Sequence, residues 1–206
     1  MKLAIVQVFG LLASTTLAAP AQAATEATQS TEATKAWGFP TSWFGKQSVD
    51  VVQSSVDKVV ASVKVLNQAM AKGTGSDGDS ATRFLQDALR ENRNVVEALR
   101  TGAASINANN NGIYAGQAMT IAMQLGPMAN QISTAMTAWI AAKPAAQVLG
   151  AKNAVIDGLT LAQSESSLFL DAILNQENWL NYAMGQNAKT QIKALFDKAI
   201  AEYRKN

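Results

Sequence analysis

From Ser48 onward the apolar positions follow a helical beat. Val49, Val52, Val56, Val59, Val63, Leu66 and Met70 recur at alternating spacings of three and four residues, which places them on one face of a helix. Valine is a mediocre helix former because its branched Cβ restricts χ1, so this helix depends on what its stripe packs against. The glycine-rich run over 73–78 breaks it, and Asp79 or Ser80 is placed to cap the next helix. There Leu85, Leu89, Val96, Leu99, Ala103 and Ile106 share a face, flanked by Phe84, Ala88 and Val95. The asparagine-rich turn over 107–112 ends that helix.

A third helix is predicted over 113–142, with Ile121, Leu125, Met128, Ile132, Met136 and Trp139 in phase. Pro127 lies inside it, and because the phase survives, the pattern predicts one kinked helix near Pro127 and not two elements. Pro144 is expected to open a fourth helix carrying Val148, Val155, Leu159, Ala162, Phe169 and Ile173. After a weak break at 175–178, a fifth carries Leu180, Met184, Ala188, Ile192, Leu195, Ala199 and Tyr203. Lys and Arg lie near its end, where the helix dipole favours cations. No segment alternates with a period of two. The pattern predicts an all-α fold, an antiparallel bundle of about five helices filling residues 48–206.

The residues before that body read differently. Lys2 followed by the short apolar stretch Leu3 to Leu17, then Thr16-Leu17-Ala18 and Ala21-Gln22-Ala23, has the form of a signal peptide over residues 1–23, cleaved after Ala18 or Ala23. The secreted, extracellular or cell-wall address follows from it. Residues 24–47 form a Thr/Ala-rich linker, in which Thr25-Glu26-Ala27-Thr28 is repeated as Thr31-Glu32-Ala33-Thr34. With little to bury it is expected to be disordered, and its hydroxyls could carry O-glycans. The linker ends in an aromatic strap with Trp37, Phe39, Trp43 and Phe44, broken by Gly38 and Pro40. Such a strap either packs on the helical body or stands out as a contact for a surface or partner.

Charge and absent residue types narrow the function. Without Lys2 the 17 basic residues become 16 against 15 acidic ones, which gives no pull toward nucleic acid. Later segments do not suggest a transmembrane span, since the most apolar, Ile132 to Leu149, is interrupted by Lys143 and Pro144. With no cysteine and no histidine, thiol nucleophiles, Ser-His triads, Cys/His zinc sites and the common haem ligations are excluded. Asp87 with Glu91, or Asp171 with Glu177, are the carboxylate pairs left for acid-base work, but acids on helix surfaces are ordinarily solvated. The run over 73–78 lacks the Gly-Lys-Ser/Thr ending of a phosphate loop, and Asp77 and Asp79 lack the spacing of a calcium loop. The expectation is a protein that is not an enzyme, without cofactor or metal.

The stretch ISTAMTAWIAAK (Ile132 to Lys143), then Val148-Leu149-Gly150, Val155-Ile156-Asp157-Gly158-Leu159 and Leu168 to Leu174 (LFLDAIL), resembles the fungal hydrophobic surface-binding protein A family, which includes the cell-wall galactomannoproteins. Leu17-Ala18-Ala19-Pro20 at the end of the leader and the valine-striped first helix are similar as well. The likeness spans about 48–205, is strongest over 115–175, and includes no catalytic signature. It implies a secreted or wall-associated helical protein that adsorbs to hydrophobic surfaces and, in some members, encloses fatty-acid-like lipids. The strap at 37–44 and the asparagine-rich joint at 107–112 depart from the family pattern and bear on the entrance geometry.

Four of the six methionines outside the leader, Met119, Met123, Met128 and Met136, fall on the third helix. Methionine fills irregular gaps, and it also adapts to many apolar shapes, so the cluster reads either as core or as a lining for an alkyl chain. The candidate lining is Val56, Val59, Val63, Met119, Met123, Met128, Ile132, Met136, Trp139, Val155, Leu159 and Phe169, with the ligand between helices one, three and four. Lys143, Asn178 or Tyr182 could orient a polar head at the mouth. The expected partner is a hydrophobic surface or a fatty-acid-like lipid. Two alternatives stand beside it: a structural wall mannoprotein or antigen with a dry core, and a secreted adaptor that recruits a hydrolase to a surface through the strap. N-terminal sequencing of the secreted product is expected to begin at Ala24 or Ala19; a product that retains Leu3 to Leu17 would rule out the cleaved leader.

Overall fold

Each apolar stripe becomes a helix in the computed structural model, which describes residues 46–73, 78–109, 113, 115–176 and 179–205. The helices are α1 (Lys46–Ala71), α2 (Gly78–Ala108), α3 (Ala115–Val148), α4 (Lys152–Leu174) and α5 (Trp179–Arg204). The leader, the linker as far as residue 45, the strap with Trp37, Phe39, Trp43 and Phe44, and Asn178 lie outside the described residues. All seven positions of the valine stripe on α1 are buried. On α2 the predicted face is buried except at Leu89, which is half-buried.

The α3–α4 boundary differs from the sequence expectation. Pro144 does not open the fourth helix; it lies inside α3, as does Pro127, and α3 runs 34 residues to Val148. Each proline removes one rung of the helix ladder, but a helix buried on both flanks is held by its packing and tolerates the loss. Gly150 is what stops α3. It takes φ +65, the left-handed region open to glycine. The Ala151 N–H bonds the Ala146 carbonyl at 2.8 Å and the Gly150 N–H bonds that of Gln147 at 3.1 Å, which together form a Schellman cap. Val148, expected on the buried stripe of the fourth helix, is 87% exposed at this corner.

Cross-helix hydrogen bonds fix the directions. Asn92 with Gly158 and Arg100 with Glu165 advance together, so α2 and α4 are parallel neighbours. Lys189 with Asp171 and Asp197 with Gln163 run in opposite senses, so α4 and α5 are antiparallel. Tyr203 with Trp139 and Lys205 with Lys143 make α3 and α5 parallel. Successive helices therefore alternate in direction, but sequence neighbours are not always spatial neighbours. The helices close a ring in the order α1, α2, α4, α5, α3, with only slight contact between α3 and α4 or between α2 and α3.

Two contacts show how tightly the helices approach. At Gly102 on α2 a Cβ would lie 2.7 Å from Cε2 of Phe169, so the bare backbone there makes room for that ring. The Tyr203 hydroxyl, fully buried, donates to the Trp139 carbonyl at 2.7 Å and ties the end of α5 to α3. Desolvation holds the Tyr203 hydroxyl well above the ordinary tyrosine range, so it stays protonated in the fold.

Gly102→Val is expected to lose about 1–3 kcal/mol of stability through overpacking against Phe169. Gly126→Ala, where a Cβ meets nothing within 4 Å, is expected to be neutral or stabilising. Urea midpoints of the two variants check both. Above about pH 10 an unfolded tyrosine ionises while Tyr203 keeps its proton, so the unfolded state binds fewer protons and stability falls as pH rises, by up to about 1.4 kcal/mol per unit. Tyr203→Phe is expected to flatten that alkaline loss, seen by comparing unfolding at about pH 9 and about pH 11.

Candidate functional site

The interior of the ring is the place where the sequence-predicted lining residues meet. Val56, Val59 and Val63 from α1, Met128, Ile132, Met136 and Trp139 from α3, and Val155, Leu159 and Phe169 from α4 are all buried in one apolar cluster. They do not come from three adjoining helices. In the ring α4 lies between α2 and α5, so its side chains reach the interior from the side away from α1 and α3.

Two of the twelve are placed elsewhere. Met119 is 48% and Met123 63% exposed, on the outer face of α3. The cause is phase: at about 100° per residue, position 123 lies on the opposite side of the helix from 121 and 125. The buried neighbours Ile121 and Leu125 occupy the inward face instead. Methionine content suggested the lining, but helical phase decides it. Apart from Lys143 the whole of α3 is uncharged, so the methionines sit on a neutral outer surface.

The interior is also neutral. Among the described residues no Asp, Glu, Lys or Arg is buried, and Tyr203 is the one buried titratable group. Ser55 donates to the Val51 carbonyl at 2.7 Å and Asn92 to the Gly158 carbonyl at 3.0 Å. Among the described residues two buried donors have no acceptor, the Trp139 indole Nε1–H and the Ser166 hydroxyl. Leaving a buried donor unmade costs about 1–3 kcal/mol, so such groups mark where a polar atom belongs. Sequence phase could have pointed to these polar positions. Asn92 falls between Leu89 and Val96, and Ser166 between Ala162 and Phe169, each in step with its apolar stripe. Gly102, within a helical run, was the missed signal for close approach.

At the surface Asp87 and Glu91 both contact Arg90, so they form no free dyad, and Asp171 is bridged by Lys189, while Glu177 lies outside the described residues. Lys143, proposed at the mouth, donates with Lys152 to the carbonyl of Lys205 at the end of α5. Asn178 and the side chain of Tyr182 lie outside the described residues. Among the described residues no cluster could hold a metal ion and no helix is long and apolar enough to cross a membrane. An open hollow of about 490 Å³ lies on the outer face of α1, lined by Asp50, Gln53, Ser54, Asp57, Lys58 and Ala61. Its charged, polar lining suits solvent and not an alkyl chain.

No family model and no curated protein matches this sequence. Solved structures do. One is AFMP4P in complex with palmitic acid, at TM-score 0.69 and 18% identity, covering 75% of this chain and 99% of that one. Another is ligand binding domain 1 of the Penicillium marneffei MP1 protein, complexed with arachidonic acids, at TM-score 0.68 and 12% identity, covering 76% of this chain and 98% of that one. Ligand binding domain 2 of the same protein, complexed with multiple arachidonic acids, matches at TM-score 0.69 and 15% identity, covering 77% and 97%. Identities this low speak to fold alone, and the fold is shared: this chain is built as the helical domains of those fungal lipid-binding proteins are built.

Proposed function

We propose that this protein is a secreted or wall-associated carrier that holds the alkyl chain of a fatty-acid-like lipid inside its helix ring. The observation that carries the reading is a neutral, apolar interior enclosed by five helices, in a fold whose solved examples are complexes with palmitic and arachidonic acids. Geometry supports it. Helices spaced about 9–10 Å apart in a ring of five have their axes roughly 8 Å from the centre, which leaves an axial column of roughly 2–3 Å radius beyond the helix bodies. Side chains or an alkyl chain must fill that column.

No polar machinery is needed for affinity. Each buried methylene contributes about 0.8 kcal/mol, so roughly fourteen give on the order of 11 kcal/mol before ordering costs. Adsorption to a hydrophobic surface is a second mode, favoured by Met119 and Met123 on the uncharged outer face of α3. Recruitment of a hydrolase through the strap has no comparable support.

Delipidated protein titrated with saturated fatty acids of increasing length is expected to bind each saturably, with affinity rising about fourfold per added methylene. Absence of saturable binding at every length would overturn the carrier reading.

A further inference from the structure

Resting on the carrier reading, one group in the interior specifies the ligand's head. Trp139 is fully buried on the inward stripe of α3, and its indole Nε1–H has no acceptor. Ser166 presents a hydroxyl in the same condition, but the two differ in what they can do alone. A hydroxyl rotates and can turn back to the carbonyl one helical turn earlier. Ser55, Ser62, Thr82, Thr134, Thr137 and Thr160 all do so here. An indole N–H is donor only, points along one fixed direction in the ring plane, and has no such carbonyl within its own turn. Its acceptor has to come from outside the helix.

The helices packed against α3 bring it no acceptor. The inward face of α1 at Val59, Val63, Leu66 and Met70 is apolar. From α5 comes Tyr203, whose hydroxyl is already bonded to the Trp139 carbonyl. The lysines of this end, Lys143 and Lys205, are on the surface, with Lys143 bonded to the Lys205 backbone. An oxygen on the ligand would supply the missing acceptor.

We infer that the Trp139 indole N–H donates to an oxygen of the lipid's head and so fixes where that head sits, at this end of the ring. A long-chain alcohol and a fatty acid present the same chemistry to it, an oxygen acceptor on a long alkyl chain.

The test compares hexadecanol with hexadecane, which differ by that one oxygen. In the wild-type protein hexadecanol is expected to bind about five- to tenfold more tightly than hexadecane. In Trp139→Phe that ratio is expected to collapse to about one, whatever the variant does to each affinity separately. In ¹⁵N-labelled wild-type protein the Trp139 indole N–H resonance is expected to move downfield with hexadecanol and not with hexadecane, a readout that does not depend on the variant folding. Saturable binding of both ligands with an unmoved indole resonance and an unchanged ratio would overturn the inference and leave the carrier reading standing. Failure of both ligands to bind the wild-type protein would overturn both.

Discussion

Five helices closing on themselves impose the constraint from which the rest of this structure follows. Four helices packed around an axis can meet through ordinary Leu and Val side chains. Five cannot, because each added helix pushes the others outward while side-chain reach stays the same. The interior must then be reached by the largest residues or be filled by something else. That is where Trp139, Phe169 and Tyr203 are found, fully buried, among stripes of Val, Ile, Leu and Ala. Of the five helices α3 carries the least charge, a single one in 34 residues. A helix flanked by α1 and α5 has apolar neighbours on both sides as well as the interior in front of it.

Much of this was legible in the sequence because burial on a helix has a period. The stripes of α1 and α2 follow directly from spacings of three and four, and they need no knowledge of partners. What the period leaves open is which helix faces which. Antiparallel succession was predicted correctly, yet the parallel pairing of α2 with α4, and of α3 with both α1 and α5, depends on contacts between residues some sixty positions apart, such as Asn67 with Gln131. Pro144 misled for a related reason. Its local preference is to open a helix, but α3 is fixed by tertiary burial, and the φ of Gly150 sets the end. Met119 and Met123 illustrate the opposite error, where residue type was weighed above phase.

Polar groups sort by depth in a way that assigns them different roles. Arg100 with Glu165, Lys189 with Asp171 and Lys193 with Asp197 lie at the surface, where an ion pair contributes about 0–1 kcal/mol. Their value is directional: they set register between α2 and α4 and between α4 and α5. Deeper, Asn92 reaches the Gly158 carbonyl at a place where the glycine lets the helices approach, since a Cβ there would sit 3.3 Å from Asn92 Nδ2. Beneath these the ring is neutral.

The two ends of the ring are tied by different bonds, and α1 takes little part in either. At one end Tyr203 bonds the Trp139 carbonyl, while Lys143 and Lys152 converge on the carbonyl of Lys205. At the other, the Ile113 N–H bonds the Gln176 carbonyl at 2.8 Å and joins the α2–α3 connection to the α4–α5 connection. By contrast α1 is held by eight buried apolar side chains and, toward α3, by Asn67 on Gln131. Hydrophobic contact is strong but non-directional, whereas hydrogen bonds resist sliding. A frame of α2, α4, α5 and α3 is thus locked in register by polar bonds, and α1 closes it by burial. That division explains why so valine-rich a helix suffices in that position: its task is to present an unbroken apolar face, for which branched side chains are well suited once neighbours hold the backbone in place.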